Sequence, residues 1–359
     1  MFSSVIDPRK PGLVKYKLSD LLFIALCTLL SNGEDFEDMA SFAIEREEWL
    51  NNWLTVPGSM PSHDTFNRVF QKIDPQSLTK CLAEDGQRLI DHVKDQLINI
   101  DGKKQKGSAP KSRGNHGLFI LNAWVGEHGV CIGQTKVVDK SNEITAIPEL
   151  LDQLELSGNI VSIDAVGCQH KIADQIVAAE ADYVLAIKGN QGDLFEEVKE
   201  AFEYGTISAH DEQWEYDHGR YEVRHCTVMP AAGYLSPKFA SKWSSIKQLV
   251  RVEAQRTIND VTSSQTRYYL TSNATFTAER LNGLVRGHWS IENQLHWHLD
   301  VTFDEDGNRA RTGHAPVNLS ILRKMALHRV KQDKSKLSQK KRRFKASMNV
   351  DFLSSLIHL

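Results

Sequence analysis

The sequence has few cysteines, and no two of them stand at the spacing of a metal or redox motif. The five are Cys27, Cys81, Cys131, Cys168 and Cys226, and they are widely scattered. A disulfide framework or a cysteine-based zinc module needs paired cysteines, so the sequence argues against both. Scattered thiols are typical of proteins in a reducing cytoplasm, and we expect a cytoplasmic location.

Long apolar runs are also missing. The longest, LLFIALCTLL at residues 21–30, is shorter than the roughly 20 residues that a membrane-spanning helix needs. The run follows charged residues and lacks the small-residue cleavage site of a signal peptide. We therefore predict a buried helix at this place and no membrane partner.

The formal net charge is only −3 at pH 7, so the overall charge gives no sign of a nucleic-acid partner. The charge is unevenly distributed, because residues 321–345 contain 11 Lys or Arg and one Asp, a local balance of +10. A basic segment on an otherwise acidic protein suggests an arm that binds phosphates, and a solvated tail without a partner is an equal alternative. We treat residues 331–359 as a basic C-terminal tail. Its candidate DNA contacts are Lys340, Lys341, Arg342 and Arg343.

The hydrophobic periodicity changes once along the chain. Residues 1–92 have apolar residues at helical spacing and are predicted to form a helical N-terminal domain. Within it, residues 57–74 offer a Gly-Pro break and a Ser62 cap before a short helix, which fits either a DNA-binding helix-turn-helix or ordinary core packing. From about residue 95 the pattern is three strands, helix, strand, helix, strand, which predicts a mixed α/β sheet with helices packed against it.

Two aspartates stand at equivalent places in this pattern. Asp101 ends the apolar strand LINID, and Asp164 ends the strand within GNIVSIDAVG. Each acid precedes a small residue and is predicted at the carboxyl end of its strand, where α/β folds collect ligands. An aspartate there can also simply cap the next turn, but two such acids in one sheet favour a site.

A third acid lies on a late predicted helix, in HWSIENQLHW at residues 288–297. Leu295 and Leu299 follow Glu292 at i+3 and i+7, so we expect Glu292 on the packed side of that helix. An unpaired carboxylate would be costly there. The predicted strand order resembles the ribonuclease H-like fold, in which a late helix supplies a third acid, and this implies a divalent cation shared with Asp101 and Asp164 that would remove the cost.

Together these motifs resemble the bacterial insertion-sequence transposases of the DDE superfamily, and among them the H-repeat-associated group. The resemblance is carried by IDGKKQKGS, SIDAVGCQ, DYVLAIKGNQ, HGRYEVR, RGHWSIENQLHWHLDVTFDED and RARTGHAPVNLSILRKMAL, which occur in this order. It implies a ribonuclease H-like catalytic core over residues 93–330, a mixed sheet with flanking helices that carries a β-rich insertion at about 205–275. It further implies that Asp101, Asp164 and Glu292 are the catalytic metal ligands, with Mg²⁺ as the cofactor and Mn²⁺ as a possible substitute.

The predicted insertion is rich in arginine. The segments HGRYEVRHCTVM, SIKQLVRVEAQR and QTRYYLTS alternate polar and apolar residues, which predicts antiparallel strands. Arginines on such strands either contact DNA phosphates or simply face solvent. The candidate DNA contacts outside the tail are Lys188, Arg220, Arg224, Arg286 and His288.

One departure from the family pattern concerns the surroundings of Glu292. Many relatives carry Tyr, Arg and Lys where this chain has Val285, His288 and Leu299. The DNA-contact roles of those residues therefore do not carry over, and only the three acids match.

The expected function is that of a DNA transposase, which cleaves DNA at element ends and transfers the strands to a target. Two Mg²⁺ ions held by carboxylates suit this phosphodiester chemistry without a protein nucleophile. The expected partners are element ends and target DNA, with a homo-oligomer on the DNA, at the nucleoid of a bacterial cytoplasm. The alternatives are a catalytically decayed or domesticated DNA-binding relative, and a nuclease that does not join strands.

Overall fold

A computed structural model describes residues 2–12, 14–54, 56–90, 94–109, 117–137, 143–217 and 219–358. Its strands form one sheet in the order β3-β2-β1-β4-β5-β9-β8-β7-β6. The strands are β1 (Leu97–Lys104), β2 (Phe119–Val125), β3 (Val130–Val137), β4 (Ile160–Ile163), β5 (Asp182–Ile187), β6 (Ala209–Asp217), β7 (Arg220–Pro230), β8 (Gln248–Ile258) and β9 (Val261–Thr271). β1 is parallel to β4 and β4 to β5, whereas every other neighbouring pair is antiparallel.

Helices cover both faces of this sheet. They are α1 (Leu18–Leu30), α2 (Phe36–Glu45), α3 (Glu47–Leu50), α4 (His63–Phe70), α5 (Pro75–Gln87), α6 (Glu143–Leu151), α7 (His170–Ala178), α8 (Gly192–Tyr204), α9 (Pro237–Lys242), α10 (Ala278–His288), α11 (Trp297–Val301), α12 (Ala315–Gln332), α13 (Gln339–Met348) and α14 (Val350–His358). A π-helix (Ile291–His296) lies between α10 and α11. No helix in the described ranges is long and apolar enough to cross a membrane.

The first five strands have the order that the sequence predicts. β1, β2 and β3 form an antiparallel meander, and the crossovers through α6 and α7 bring β4 in parallel beside β1 and β5 in parallel beside β4. The ribonuclease H-like fold class is thereby confirmed. The β-rich insertion is also confirmed as antiparallel, and it continues the same sheet because β9 pairs with β5.

The N-terminal and C-terminal helices share one apolar core. Leu21 and Leu26 of α1 are buried in the same cluster as Leu295 of the π-helix and Leu353 and Leu356 of α14. The short helix α4 buries Phe66, Val69 and Phe70 in that cluster, so core packing accounts for the segment that also fits a helix-turn-helix. The predicted boundary at 92/93 lies outside the described residues.

The prediction of a solvated or DNA-binding C-terminal tail is wrong for two of its four candidate DNA contacts. Arg343 is fully buried, and it donates hydrogen bonds to the carbonyl oxygens of Leu29 (2.7 Å), Gly33 (3.0 Å) and Thr302. Arg342 is also buried and donates to the carbonyl of Val330 at 2.7 Å.

These carbonyls lie at the C-terminal ends of helices, namely those of α1, α11 and α12. The last carbonyls of a helix have no partner within the helix, and a cation close to them is favourable. Arg342 and Arg343 therefore stabilise the junction of three helices. Lys340 and Lys341 are exposed on the same helix α13.

Candidate active site

The sheet brings Asp101 and Asp164 side by side. β1 and β4 are parallel with Ile100 opposite Ile163, so the next residue in each chain is one of the two acids. Neighbouring strands lie about 4.8 Å apart. Asp164 follows the last residue of β4 as predicted, and its carboxylate also accepts a hydrogen bond from the Val166 N–H at 3.0 Å. Asp101 lies within its strand rather than at the end, because β1 continues to Lys104.

The third acid lies on the π-helix. Ile291, Leu295 and Leu299 are fully buried, whereas the side chain of Glu292 is 50% exposed. The prediction that Glu292 lies on the packed side is therefore wrong. Glu292 lies at the edge of the buried face of the helix, and its carboxylate is close to Asp101. π-helical turns are rare and are frequently found at functional sites.

Two glycines allow this helical segment to approach the sheet closely. A Cβ atom at Gly287 would lie 2.6 Å from Leu97 Cδ2 of β1. A Cβ atom at Gly126, in the turn after β2, would lie 2.3 Å from Ser290 Oγ. A larger residue at either position would require the Leu97 or Ser290 side chain to move, so both glycines suit the close packing found here.

The three acids line one cavity of about 140 Å³. His296, one helical turn after Glu292, connects two of them. Its Nδ1 lies 3.3 Å from Glu292 Oε2 and 3.7 Å from Asp101 Oδ2. Ligand atoms of Asp101, Glu292 and His296 all lie within 4.8 Å of one another, which is close enough to hold a metal ion.

The hydrogen-bond partners of His296 determine which of its ring nitrogens carries the proton. The Asn122 Nδ2 lies 3.3 Å from the Nε2 of His296, and an amide nitrogen can only donate. The Nδ1–H of His296 is then free to donate to Glu292. This histidine therefore holds the Glu292 carboxylate in place beside Asp101.

The pKa values of Asp101 and Glu292 are shifted in opposite directions. Burial, together with the hydrogen-bonded Glu292 carboxyl, raises the pKa of Asp101 to about 8. The hydrogen bond from His296 lowers the pKa of Glu292 to about 2. The raised pKa of Asp101 favours a proton held between the two carboxyl groups, as in other crowded pairs of carboxylates.

A polar network holds α10 against the strands. The Ser162 hydroxyl donates to Asn99 Oδ1 at 2.6 Å, and Asn99 Nδ2 donates to Ser290 Oγ at 3.1 Å. Because the Ser162 proton is already used, His288 Nδ1–H donates to Ser162 Oγ at 2.8 Å. Burial lowers the pKa of His288 to about 4. His288 is therefore a neutral side chain in this network, and because it also lines the cavity of the three acids, its contact with DNA stays a prediction.

The other predicted DNA contacts lie in three places. Lys188 follows β5, is exposed and lines the cavity of the three acids. Arg220, Arg224 and Arg286 lie together in a neighbouring cleft. Lys340 and Lys341 lie outside both sets of lining residues.

Sequence reasoning missed several residues around the acids. His296 orients Glu292, and its i+4 spacing from that acid was the available signal. Arg267 stacks on Trp289, with its Cζ 4.5 Å from the ring centre, and both line the cavity. No motif points to that pair, because it depends on how β9 meets the end of α10.

Comparison with known proteins establishes the family. A model described as the transposase DDE domain matches residues 73–328, and one described as DDE_Tnp_1-associated matches residues 1–84. The chain therefore belongs to the family of the transposase DDE domain. The family predicted from the sequence is confirmed.

Two relatives from Escherichia coli match almost the whole chain. "Putative transposase YncI" of strain O157:H7 is 35% identical over 366 residues, which cover 99% of this chain and 93% of that protein. "H repeat-associated putative transposase YhhI" of strain K12 is 34% identical over 364 residues, with 99% and 96% covered. Among solved structures, a piggyBac transposase in a synaptic complex with hairpin DNA, determined by cryo-EM, aligns with a TM-score of 0.44. It is 12% identical, and the alignment covers 98% of this chain and 75% of that one.

Proposed function

We propose that this protein is an active DNA transposase that cuts DNA at element ends and joins the ends to a target. The observation that carries the proposal is the convergence of three acids from distant parts of the chain. Asp101 comes from β1, Asp164 from the end of β4 and Glu292 from the π-helix, and all three line one cavity. The strand order and the shared cavity support a common catalytic site.

The donor set fits a hard divalent cation. Carboxylate oxygens are the ligands that Mg²⁺ prefers, and Mn²⁺ accepts the same ligands together with an imidazole. Asp101, Asp164 and Glu292 would hold the ions, and bound Mg²⁺ would activate a water or a 3′-hydroxyl for attack on a phosphodiester. The proton that Asp101 shares with Glu292 would leave when a cation binds, because metal ligands must be deprotonated.

The residues around the acids would position the DNA. Lys188, exposed beside the cavity, would contact a backbone phosphate near the scissile bond. His296 would keep the Glu292 carboxylate turned toward Asp101. Joining two element ends to one target would take place in a homo-oligomer at the bacterial nucleoid.

The test uses purified protein with labelled duplexes that carry the ends of its own element, in the presence of Mg²⁺. Asp164→Asn should abolish cleavage and leave DNA affinity unchanged, because an amide has nearly the shape of a carboxylate but is a neutral, weaker ligand. Asp174→Asn is the matched control, because Asp174 is exposed on α7, away from the cavity. It should behave like the wild type.

The outcomes separate the proposal from its alternatives. Undiminished cleavage by a folded Asp164→Asn protein would show that the assignment of the acids is wrong. DNA binding without cleavage by the wild type would indicate the decayed or domesticated relative. Cleavage without joined products in the presence of target DNA would indicate a nuclease.

A further inference from the structure

A cleft of about 720 Å³ lies next to the cavity of the three acids, and we name it the arginine cleft. It lies between strands β7, β8 and β9 of the insertion and the end of α10. Five arginines line it, namely Arg220, Arg224, Arg256, Arg267 and Arg286. Arg267, Tyr269, Val285 and Trp289 line both the arginine cleft and the cavity of the acids, so the two are continuous.

Two glutamates partly neutralise the arginine cleft. Glu222, which is buried, lies 3.1 Å from Arg224, 3.5 Å from Arg256 and 3.7 Å from Arg220. The strand register fixes Glu222 there, because β7 pairs it with Arg256 on β8. Its carboxylate is enclosed by the arginines and belongs to the framework of the cleft.

Glu215 is held in a different way. Its two oxygens lie 3.0 Å from Arg224 Nη2 and 3.1 Å from Arg286 Nη2, so it bridges β7 and α10. The Glu215 side chain is nevertheless 42% exposed, and it lies on β6, the edge strand of the sheet. A carboxylate that is open to solvent can be displaced by a competing anion at a much lower cost than a buried one.

A backbone phosphate offers guanidinium groups the same partner geometry as a carboxylate. Both accept charge-assisted hydrogen bonds from guanidinium groups, so a phosphate can present one oxygen to Arg224 and another to Arg286, as Glu215 does. Glu215 therefore occupies the position that a phosphate oxygen pair would take between Arg224 and Arg286.

We infer that the arginine cleft binds a backbone phosphate of the DNA beside the cavity of the acids, and that this phosphate displaces Glu215 from Arg224 and Arg286. This inference rests on the proposed function. Glu215 thereby restrains the affinity for DNA, because each binding event must first break its two ion pairs. The site is a phosphate subsite that reads no base.

The test measures the affinity for a fluorescein-labelled duplex of arbitrary sequence by anisotropy, between about 50 and 200 mM salt. Glu215→Gln should bind about threefold tighter at the low-salt end. Its plot of log K against log salt should keep the slope of the wild type, because the same phosphates are neutralised in both proteins. Arg286→Gln should bind more weakly and have a slope shallower by about 0.9.

Glu253→Gln is the matched control. Glu253 is 40% exposed and pairs with Arg251 at 3.5 Å, so its loss changes the net charge and breaks an ion pair in the same way. It lies between Val252 and Ala254, which line the arginine cleft, and therefore points to the other face of the sheet. Glu253→Gln should have the affinity and slope of the wild type.

The outcomes distinguish this inference from the proposed function. If Glu215→Gln and Glu253→Gln bind alike, or if Glu215→Gln binds more weakly than the wild type, the phosphate subsite is wrong even though the protein binds DNA. If the wild type binds no duplex at all, the proposed function fails with it. Should Glu215→Gln not fold, Arg286→Gln against Arg251→Gln tests the same claim, and equal slopes would overturn it.

Discussion

Charged residues behave in opposite ways in two regions of this protein. The three acids are 63 and 128 positions apart along the chain, and they line one cavity. The four basic residues at 340–343 are consecutive, and the structure separates them. Lys340 and Lys341 are exposed, whereas Arg342 and Arg343 are buried among helix ends. Distance along the chain is therefore a poor guide to which charges act together.

The physical difference lies in the backbone that carries each group. Parallel pairing of β1 with β4 places residues at matching strand positions side by side, whatever the length of the crossover between them. Successive residues of a helix point about 100° apart, so a run of basic residues on α13 must face in several directions. The inward-facing arginines are stable because unpaired helix carbonyls accept their hydrogen bonds.

The largest effect is expected at the acids. Glu292→Gln should reduce Mg²⁺-dependent DNA cleavage by at least about 100-fold, because removing a ligand should cost no less than removing a residue that only orients one. The affinity for DNA should stay within about twofold of the wild type, since every cation that binds a phosphate is still present. Glu279→Gln, which removes an exposed acid of α10, is the control and should cleave normally. Equal cleavage by Glu292→Gln and Glu279→Gln would show that Glu292 does not belong to one catalytic site with Asp101 and Asp164.

The next effect concerns stability in the C-terminal region. Arg343→Gln should lower the free energy of unfolding by about 3 kcal/mol, because the carbonyls of Leu29 and Thr302, at the ends of α1 and α11, lose charged donors. Lys340→Gln, on the exposed side of the same helix, should change it by less than about 0.5 kcal/mol. Denaturation in urea measures both. A similar loss of unfolding free energy in the two variants would show that the buried Arg343 stabilises the fold no more than the exposed Lys340 does.

A divalent cation should stabilise the folded chain through the acids alone. At 100 times its dissociation constant, Mn²⁺ should add about 2.7 kcal/mol to the free energy of unfolding, and EDTA should reverse the gain. At one fixed Mn²⁺ concentration, the gain should be smaller at pH 6 than at pH 8. Burial and the Glu292 carboxyl raise the pKa of Asp101 to about 8, so a proton competes with the metal below that pH. Asp101→Asn should abolish the gain, and a gain that persists in that variant would place the metal elsewhere.

The smallest effect is expected from the two exposed lysines of α13. If they bind DNA phosphates, Lys340→Gln with Lys341→Gln should lower the slope of log K against log salt by about 0.9 for each phosphate that is no longer neutralised. Thermal stability should not change, because neither side chain is buried. An unchanged slope would show that this part of the basic segment is only solvated.

The sequence predicted the sheet well because the strands of the core are short, apolar and separated by clear turns or helices. The topology followed from the alternation of strand and helix after residue 140, which leaves few ways to connect a parallel pair. Asp101 and Asp164 could be paired on that basis. Their neighbour Glu292 was assigned from the family resemblance.

The details that escaped prediction all depend on tertiary contacts. The predicted side of the helix for Glu292 was wrong, because a π-helical turn rotates the following side chains away from the positions that a regular α-helix would give them. The buried arginines of α13 could not be predicted, because their partners are carbonyls of helices as distant as α1. The pairing of Glu215 with Arg224 and Arg286 required both the strand register and the approach of α10.

The most direct test of the central claim is an anomalous diffraction measurement on crystals of the protein grown with duplex DNA and Mn²⁺. We predict anomalous density between the carboxylates of Asp101, Asp164 and Glu292. The density should be absent from Asp164→Asn crystals of the same form or reduced to a single weaker peak. Manganese bound elsewhere on the chain, with these three carboxylates unligated beside bound DNA, would contradict the account.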